Sequence, residues 1–497
     1  MKHLKLIFVF ILICFGQVLV GQPSKHRLII LADMGNEPDE EQQMAHMLMC
    51  SNEFDIEALI AVSGKYLHSQ HRFIERQKLY PELFENLIDG YEKVFENLKI
   101  HATGWPEPSY LKSVVASGQP GYGMGDVGEG KGTEGSKLLI KSFEKEDPRL
   151  IYIVVNAGSN TLAQALNDYK STHKKEELLA VLKKIRVFEN GAQDDAGAWI
   201  CANYPEIHWI RSNYQTYAYG GPAWAWGSEK DDDKKGPHTW KPYAYNATGQ
   251  HQWALEHIKN HGALGRLFPL RETPTGKLVF IEGGGTIPWL GLMHQGLSHI
   301  SQPSWGGWSG RFSKEPIKNV PSRHESVRAD EVTYGDYYVY TEVSDEWTDK
   351  TTNEVYNSIY TPVWRWRQAY YNDFKCRMDW CVTSFEEANH HPVAAVNSDT
   401  TEKIHTINVK PGQSMMLDAS TSFDLDGDTI KYHWWIYKEA GTYNGNDQII
   451  TNPSQSKTEI KIPKNTSGKT IHVILEIEDQ NSIASLFDYR RVVLIIN

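Results

Sequence analysis

Basic residues are in the minority in this 497-residue chain: 51 lysines and arginines stand against 62 aspartates and glutamates, a formal net charge of −11. That balance excludes the basic footprint that a nucleic-acid backbone requires. Cysteine is scarce as well, five in all, which excludes a disulfide-built scaffold. Cys376 and Cys381, in CRMDWC, are close enough for a local disulfide whose pairing the sequence leaves open. Cys50 and Cys201 sit in apolar helical patterns, where a small buried thiol is expected. Beyond the N-terminus no apolar run approaches the roughly 20 residues of a membrane span. The glycine-rich GYGMGDVGEGKGTEGS (Gly121–Ser136) leaves room for close backbone approach to a ligand but lacks the Lys-Ser or Lys-Thr end of a phosphate loop. DLDGD (Asp424–Asp428) has Trp435 rather than Glu at the twelfth position, which excludes an EF-hand and leaves a tight Asp-Gly turn.

The first residues, MKHLKLIFVFILICFGQVLVGQ, place Lys2 and Lys5 before the apolar run Leu6 to Phe15 and small residues near Gly21. This is the pattern of a secretory signal peptide over residues 1–21, and it implies a secreted or periplasmic protein. A surface lipoprotein anchored at Cys14 is the alternative, against which stand the bulky Leu12 and Ile13.

LIILADMGNEPDEEQQ (Leu28–Gln43) then runs from a buried strand through Asp33, Glu37, Asp39, Glu40 and Glu41 into a helix. Carboxylates gathered at a strand end repel one another unless a hard cation such as Ca²⁺ neutralises them. The plainer reading of Asp39 to Glu41 is a first helical turn favoured by the macrodipole. Apolar runs RLIILAD, IEALIAVS, LIYIVVNA, RVFEN, IHWIRSN and KLVFIEGG alternate with helical patterns such as EGSKLLIKSFEKE and TLAQALNDYK. An α/β fold follows, a mostly parallel sheet flanked by helices over residues 25–388. Each run exits into polar residues, among them Asn156, Asn160, Glu189, Asn190 and Glu282. With Glu37 these are candidate ligand contacts, because ligands bind outside the carboxyl ends of the strands.

Two aromatic segments stand out. Tyr214 to Tyr245 holds Trp224, Trp226 and Trp240 around the charge run EKDDDKK, and PSWGGWSGRF supplies Trp305, Trp308 and Arg311. Aromatic faces suit sugar rings and Arg suits hydroxyls, although any one of these tryptophans serves equally as core. EEANHHPVAAV, with His390 and His391, reads as a linker. After it HTINV, SMMLDA, IKYHWWIY, TEIKI, IHVILEIED and RRVVLII give six of the seven or so short strands of an immunoglobulin-like β-sandwich over residues 392–497.

DMGNEPDE is similar to the DxDPGxDD motif that ends the first strand of nucleoside hydrolases, and NAGSNTLAQAL resembles their GPLTN segment. GYGMGDVGEGKGTEGS, PSWGGWSGR, RMDWC and SFDLDGDTIKYHWW extend the resemblance to nearly the whole mature chain. They are similar to a nucleoside-hydrolase-like family with a C-terminal immunoglobulin-like module, some members of which are described as cellulose-binding. The resemblance implies one Ca²⁺ held by Asp33, Glu40, the Thr161 carbonyl and Glu282, with Asp33 also the base for a bound water. It makes Asp39 a hydrogen-bond partner of a sugar hydroxyl, and it puts Asp194 and Asp195, in FENGAQDDAGAWI, in a sugar-contacting loop. Two positions depart from the pattern. Gly35 stands where an ungapped alignment has the second Asp, whereas the preferred alignment matches Asp33 to that Asp with two extra residues before Asp39, and Gly283 to Gly285 follow Glu282 where the parent family has its last Asp ligand. Three functions follow: a calcium-dependent glycosidase acting on a polysaccharide or its fragments, a polysaccharide-binding protein that kept the scaffold and lost the chemistry, and a nucleoside hydrolase.

Overall fold

Strand β1 (His26–Ala32) is buried from Arg27 onward. Its apolar residues split between two cores: Leu28, Ile30 and Ala32 face one layer, Ile29 and Leu31 the other. A strand covered on both faces needs a continuous apolar run rather than an alternating one. The computed structural model describes residues 24–220, 247–272, 279–349, 353–445 and 447–497. The leader 1–21, Trp224, Trp226, Trp240, Tyr243, Tyr245 and the EKDDDKK run lie outside those residues.

Around β1 the sheet contains β2 (Phe54–Ala61), β3 (Val115–Ser117), β4 (Ile151–Val155), β5 (Ile185–Asn190) and β6 (His208–Ser212). Outside it, β7 (Arg271–Glu272) and β8 (Val279–Phe280) form an antiparallel hairpin. Strands β9 (Ile317–Lys318) and β10 (Tyr338–Thr341) complete an eight-stranded sheet in the order β3-β2-β1-β4-β5-β6-β10-β9. All its pairings are parallel except β9 on β10. In register Leu31 lies opposite Val155 and Val155 opposite Glu189, so the strand exits share one edge. Among the described residues KLVFIEGG does not enter the large sheet as expected: Val279–Phe280 pairs with Arg271–Glu272, and β10 takes the place beside β6.

Helix α1 (Asp39–Met49) follows β1 directly, with Asp39, Glu40 and Glu41 in its first turn. There the macrodipole favours negative charge. The helices Glu134–Glu144 and Asn160–Thr172 pack on each other on the opposite face, as the periodicity of EGSKLLIKSFEKE and TLAQALNDYK requires.

The C-terminal region is a two-sheet sandwich. His405–Val409, Phe487–Ile496, Thr470–Asp479 and Ile430–Ile436 form one sheet; Ser414–Asp418, Lys457–Lys461 and Ile450–Thr451 form the other. The seventh strand, Ile450–Thr451, is only two residues long and carries no readable alternation. A polar clamp joins the sandwich to the α/β region. The Arg491 guanidinium donates to the carbonyls of Leu297, at 2.6 Å, and Trp305, at 2.9 Å. Across the same seam Tyr437 Oη donates to Asp345 at 2.6 Å.

The four described cysteines are all free and buried, which answers the question the sequence left open: Cys376 and Cys381 are not bonded to each other. Cys376 lies in the helix Arg367–Asp379; five residues on, a continuing helix would point a side chain about 140° away. The Cys381 sulfur meets Met49 Sδ at 3.5 Å instead. No helix among the described residues is long and apolar enough to cross a membrane.

Candidate functional site

Asp33 is the first residue beyond β1 and is only 2% exposed. Asn36 Nδ2 donates to its Oδ2 at 3.0 Å, and the Asn36 amide donates to its carbonyl, also at 3.0 Å, closing a turn. Gly35 takes φ +85° in that turn, and a Cβ there would lie 2.8 Å from the Tyr80 ring. Glycine at this position thus has a local cause: the positive φ disfavours a side chain and the Tyr80 ring fills the space a Cβ would take.

Four more carboxylates gather beside it. Carboxylate oxygens of Glu37, Asp39 and Glu282 lie within 4.8 Å of one another. Glu40, 2% exposed, accepts from Asn156 Nδ2 at 3.1 Å. The cationic counterweight is Arg271, which donates to Glu37 at 2.8 Å and has its Nε 3.7 Å from Glu282. Burial, followed by the charges of Asp39 and Glu37, pushes the Asp33 carboxyl up to about 8. Burial and Asp39 raise Glu282 to about 8; burial and Glu37 raise Asp39 to about 6; burial and Asp39 drive Glu40 upward as well. The cluster holds more negative charge than its protein surroundings offset.

The glycine run after Glu282 shapes this site. The Glu282 amide donates to Gln42 Oε1 at 2.8 Å, tying the turn to α1. Gly283 adopts φ +46°. A Cβ on Gly285 would lie 2.3 Å from Asn156 Nδ2 and 3.1 Å from Glu40 Oε1. Gly285→Ala is therefore expected to push Asn156 off Glu40 and to cost about 1–3 kcal/mol by overpacking. Thermal denaturation would read this as a lowered Tm; an unchanged Tm would mean that the turn moves freely.

The expected metal set is only partly assembled. Glu282 joins Glu37 and Asp39 in the cluster and Asp33 and Glu40 border it, whereas Thr161 lies in the helix Asn160–Thr172. There its Oγ1 accepts from the Gln119 amide at 3.0 Å, and its carbonyl is directed along the helix ladder. Of the expected ligand contacts, Glu37 and Asn156 are in the cluster, and Asn156 Oδ1 is buried with no hydrogen-bond partner.

The others have partners elsewhere. Asn160 Nδ2 donates to Ser63 Oγ and the Gly121 carbonyl, and Asn190 accepts from Thr216 Oγ1. Asp194 accepts from the Ser159, Asn160 and Ala196 amides, and Asp195 from the Met124 amide and Tyr334. Gly123 of the glycine-rich loop is pressed onto Asp195, where a Cβ would lie 2.2 Å from Oδ1. Glu189 is fully buried against Arg211 and Trp209, and Arg211 pairs in turn with Glu331. The tryptophans expected to meet a glycan pack inward. Trp308 is 1% exposed, Trp305 stacks edge-on with His472 of the sandwich, and Arg311 is paired with Asp345.

Tyr66 and Arg323 were not legible as site residues, whereas Tyr217 belongs to the aromatic segment Tyr214 to Tyr245. Tyr66, 36% exposed, lies within electrostatic reach of Glu37 and Asp33. The Arg323 guanidinium sits 4.9 Å over the Tyr217 ring, and Asn213, the exit residue of β6, holds its backbone amide at 3.1 Å. Tyr217 in turn lies within electrostatic reach of Glu282 and Asp39. The usable signal was the strand-exit rule itself, which points past Ser63 to Tyr66 and through Asn213 to Arg323.

Residues 27–312 match the family described as "Cellulose-binding Sde182, nucleoside hydrolase-like domain", and residues 414–496 match "Cellulose-binding protein Sde0182, C-terminal domain". No curated protein matches the chain. Among solved structures it is similar to a nucleoside hydrolase-related hypothetical protein from Saccharophagus degradans, described as associated with carbohydrate metabolism. The two are 33% identical with a TM-score of 0.77, over 95% of this chain and all of the other. A weaker likeness, to an effector protein, covers 73% of this chain and 94% of the other at 10% identity and a TM-score of 0.35. The chain belongs to the family of cellulose-binding proteins that join a nucleoside hydrolase-like domain to the Sde0182 C-terminal domain.

Proposed function

We propose that this exported protein acts on a polysaccharide of the cellulose type, or its fragments, by calcium-assisted hydrolysis of a glycosidic bond at the β1 exit. The observation that carries this reading is the convergence of Asp33, Glu37, Asp39, Glu40 and Glu282 at one sheet edge. The donor set suits calcium, which takes six to eight oxygens. Asn156 Oδ1, buried without a hydrogen-bond partner, is a further oxygen at the site. Glu37, Asp39 and Glu282 would hold the ion, with Asp33 and Glu40 beside it. When bound, calcium supplies positive charge that offsets the carboxylate repulsion and acidifies adjacent water. Asp33, once ionised, accepts the proton of the attacking water. Asp39 accepts a hydrogen bond from a sugar hydroxyl. Tyr66 and Tyr217 supply ring faces and Arg323 donors at the rim.

The test is release of reducing ends from cello-oligosaccharides by chelator-treated protein with and without added calcium. Calcium-restored release supports the reading; none from these or from a wider glycan panel overturns it. Tyr66→Ala is expected to raise KM about fivefold with little change in kcat, since an aromatic contact contributes about 1 kcal/mol. Equal KM values in the two proteins would remove Tyr66 from the substrate site.

A second reading, glycan binding without chemistry, is favoured by the three glycines after Glu282, which leave the late loop with one acid. Retained affinity for cellulose with no bond cleavage in any calcium condition would establish it. The burial of Trp308 and the edge-on contact of half-buried Trp305 with His472 favour the β1 exit over PSWGGWSGRF for such binding. Base release from inosine or uridine would instead indicate nucleoside hydrolysis.

A further inference from the structure

The opposite end of α1 carries a second group of ligand-type residues, outside the carboxylate site. His46 and Cys50 are four residues apart on α1 and its C-cap, so both side chains fall on one face. That face meets Asp373 of the helix Arg367–Asp379. All three residues are fully buried, and their donor atoms lie within 4.8 Å of one another.

The polar groups here are incompletely satisfied. His46 Nδ1 is 2.8 Å from Tyr219 Oη, while Nε2 is buried with no hydrogen-bond partner. The Cys50 sulfur has only a long contact, 3.9 Å, to Asp373 Oδ2. Asp373 Oδ1 accepts from Arg377 Nε at 2.8 Å and His391 Nε2 at 2.6 Å, which leaves Oδ2 toward the thiol. A buried polar atom left unpaired is uncommon and calls for a partner. The ring of Phe374 stacks on His46 at 3.9 Å and that of Trp289 meets it edge-on at 5.2 Å, so aromatic rings fix the imidazole in place.

We propose that His46 Nε2, Cys50 Sγ and Asp373 Oδ2 form a structural site for a zinc-class cation between α1 and the helix Arg367–Asp379. One nitrogen, one sulfur and one oxygen make three of the four positions of a tetrahedral site, a mixed, borderline-soft donor set that zinc accepts and calcium does not, with a water as the fourth ligand. The ligands are themselves held: a ligating imidazole turns its other nitrogen to a hydrogen-bond partner, here Tyr219, and a ligating carboxylate is fixed by further donors, here Arg377 and His391. Binding would remove the thiol proton and give each orphaned atom a partner. The site would also steady the carboxylate cluster. It anchors the far end of the helix that starts with Asp39 and Glu40, and Tyr219 lies under the turn that follows Glu282, where a Cβ on Gly283 would be 2.8 Å from its ring.

The experiment uses the full-length protein produced in medium supplemented with zinc and, separately, cobalt, then dialysed against EDTA. Elemental analysis is expected to find about one zinc ion per wild-type chain, and at least a tenfold loss in Cys50→Ser and His46→Ala. The cobalt protein is expected to show a thiolate-to-cobalt charge-transfer band together with tetrahedral d–d bands, which no oxygen-only site produces. Should the variants fail to fold, the wild-type cobalt spectrum decides alone. A folded wild type with no stoichiometric zinc, full zinc retention in Cys50→Ser, or a cobalt spectrum without the sulfur band each overturns the proposal.

Discussion

Asp33→Asn is expected to lower sugar release by about 10²–10⁴-fold, the span contributed by a positioned general base, in a protein that stays folded. The substitution keeps the shape of the side chain and its contact with Asn36 while removing the proton acceptor. It also removes one of the charges that raise Glu40, so the variant should be no less stable than the wild type in calcium-free buffer. Loss of activity with an unchanged or higher Tm would therefore separate a chemical role from a structural one. Release that persists in the variant would exclude Asp33 as the base and leave Asp39 as the candidate, since burial raises it to only about 6 and it ionises more readily. Loss of cellulose affinity along with loss of release would indicate instead that Asp33 organises the whole cluster.

What the sequence revealed of this site was local. Asp33, Glu37, Asp39 and Glu40 lie within eight residues, and the strand and helix on either side are strongly patterned. The expectation that polar strand exits share one edge also met the structure, because parallel strands in register bring their ends together without further information. The same rule overreached at Glu189. It too ends a strand, but its partners Arg211, Trp209 and Glu331 come from distant segments, and a buried ion pair is invisible until those are placed. Trp305 and Trp308 failed for a related reason: a glycine-rich aromatic loop reads as exposed in isolation, and only the docked sandwich, through Arg491 and His472, turns it into an interior seam. Arg271 was missed because its hairpin is two residues per strand, too short for any period. Gly35 and Gly285, which read as gaps in a ligand set, are positions where neighbouring side chains occupy the space a Cβ would need.

Between pH 7 and 8 the calcium-free protein is expected to lose stability as pH rises, and excess calcium is expected to reverse the trend. Asp33 and Glu282 are held near about 8 when folded, whereas their ordinary values are 3.8 and 4.5. A folded value above the unfolded one means that stability is complete below the lower value and is lost as pH climbs through the upper one. At about 1.4 kcal/mol per pH unit, each group can take on the order of 1 kcal/mol from stability across this interval. The interval is chosen with care. Below 6.5 the buried histidines His26, His46, His208 and His324, depressed by burial to about 4, 3, 4 and 3, act in the opposite direction, because the unfolded chain takes up their protons first. Asp194 and Glu402, also near about 8, share the window and would survive any change at the cluster. The diagnostic is therefore a difference. Calcium at a hundred times its Kd should add about 2.7 kcal/mol, more at pH 8 than at pH 7, in the wild type and less in Asp33→Asn. Calcium-induced shifts in Tm that are equal in the two proteins, or absent from both, would mean that these carboxylates hold no calcium and that their repulsion is relieved by protons alone.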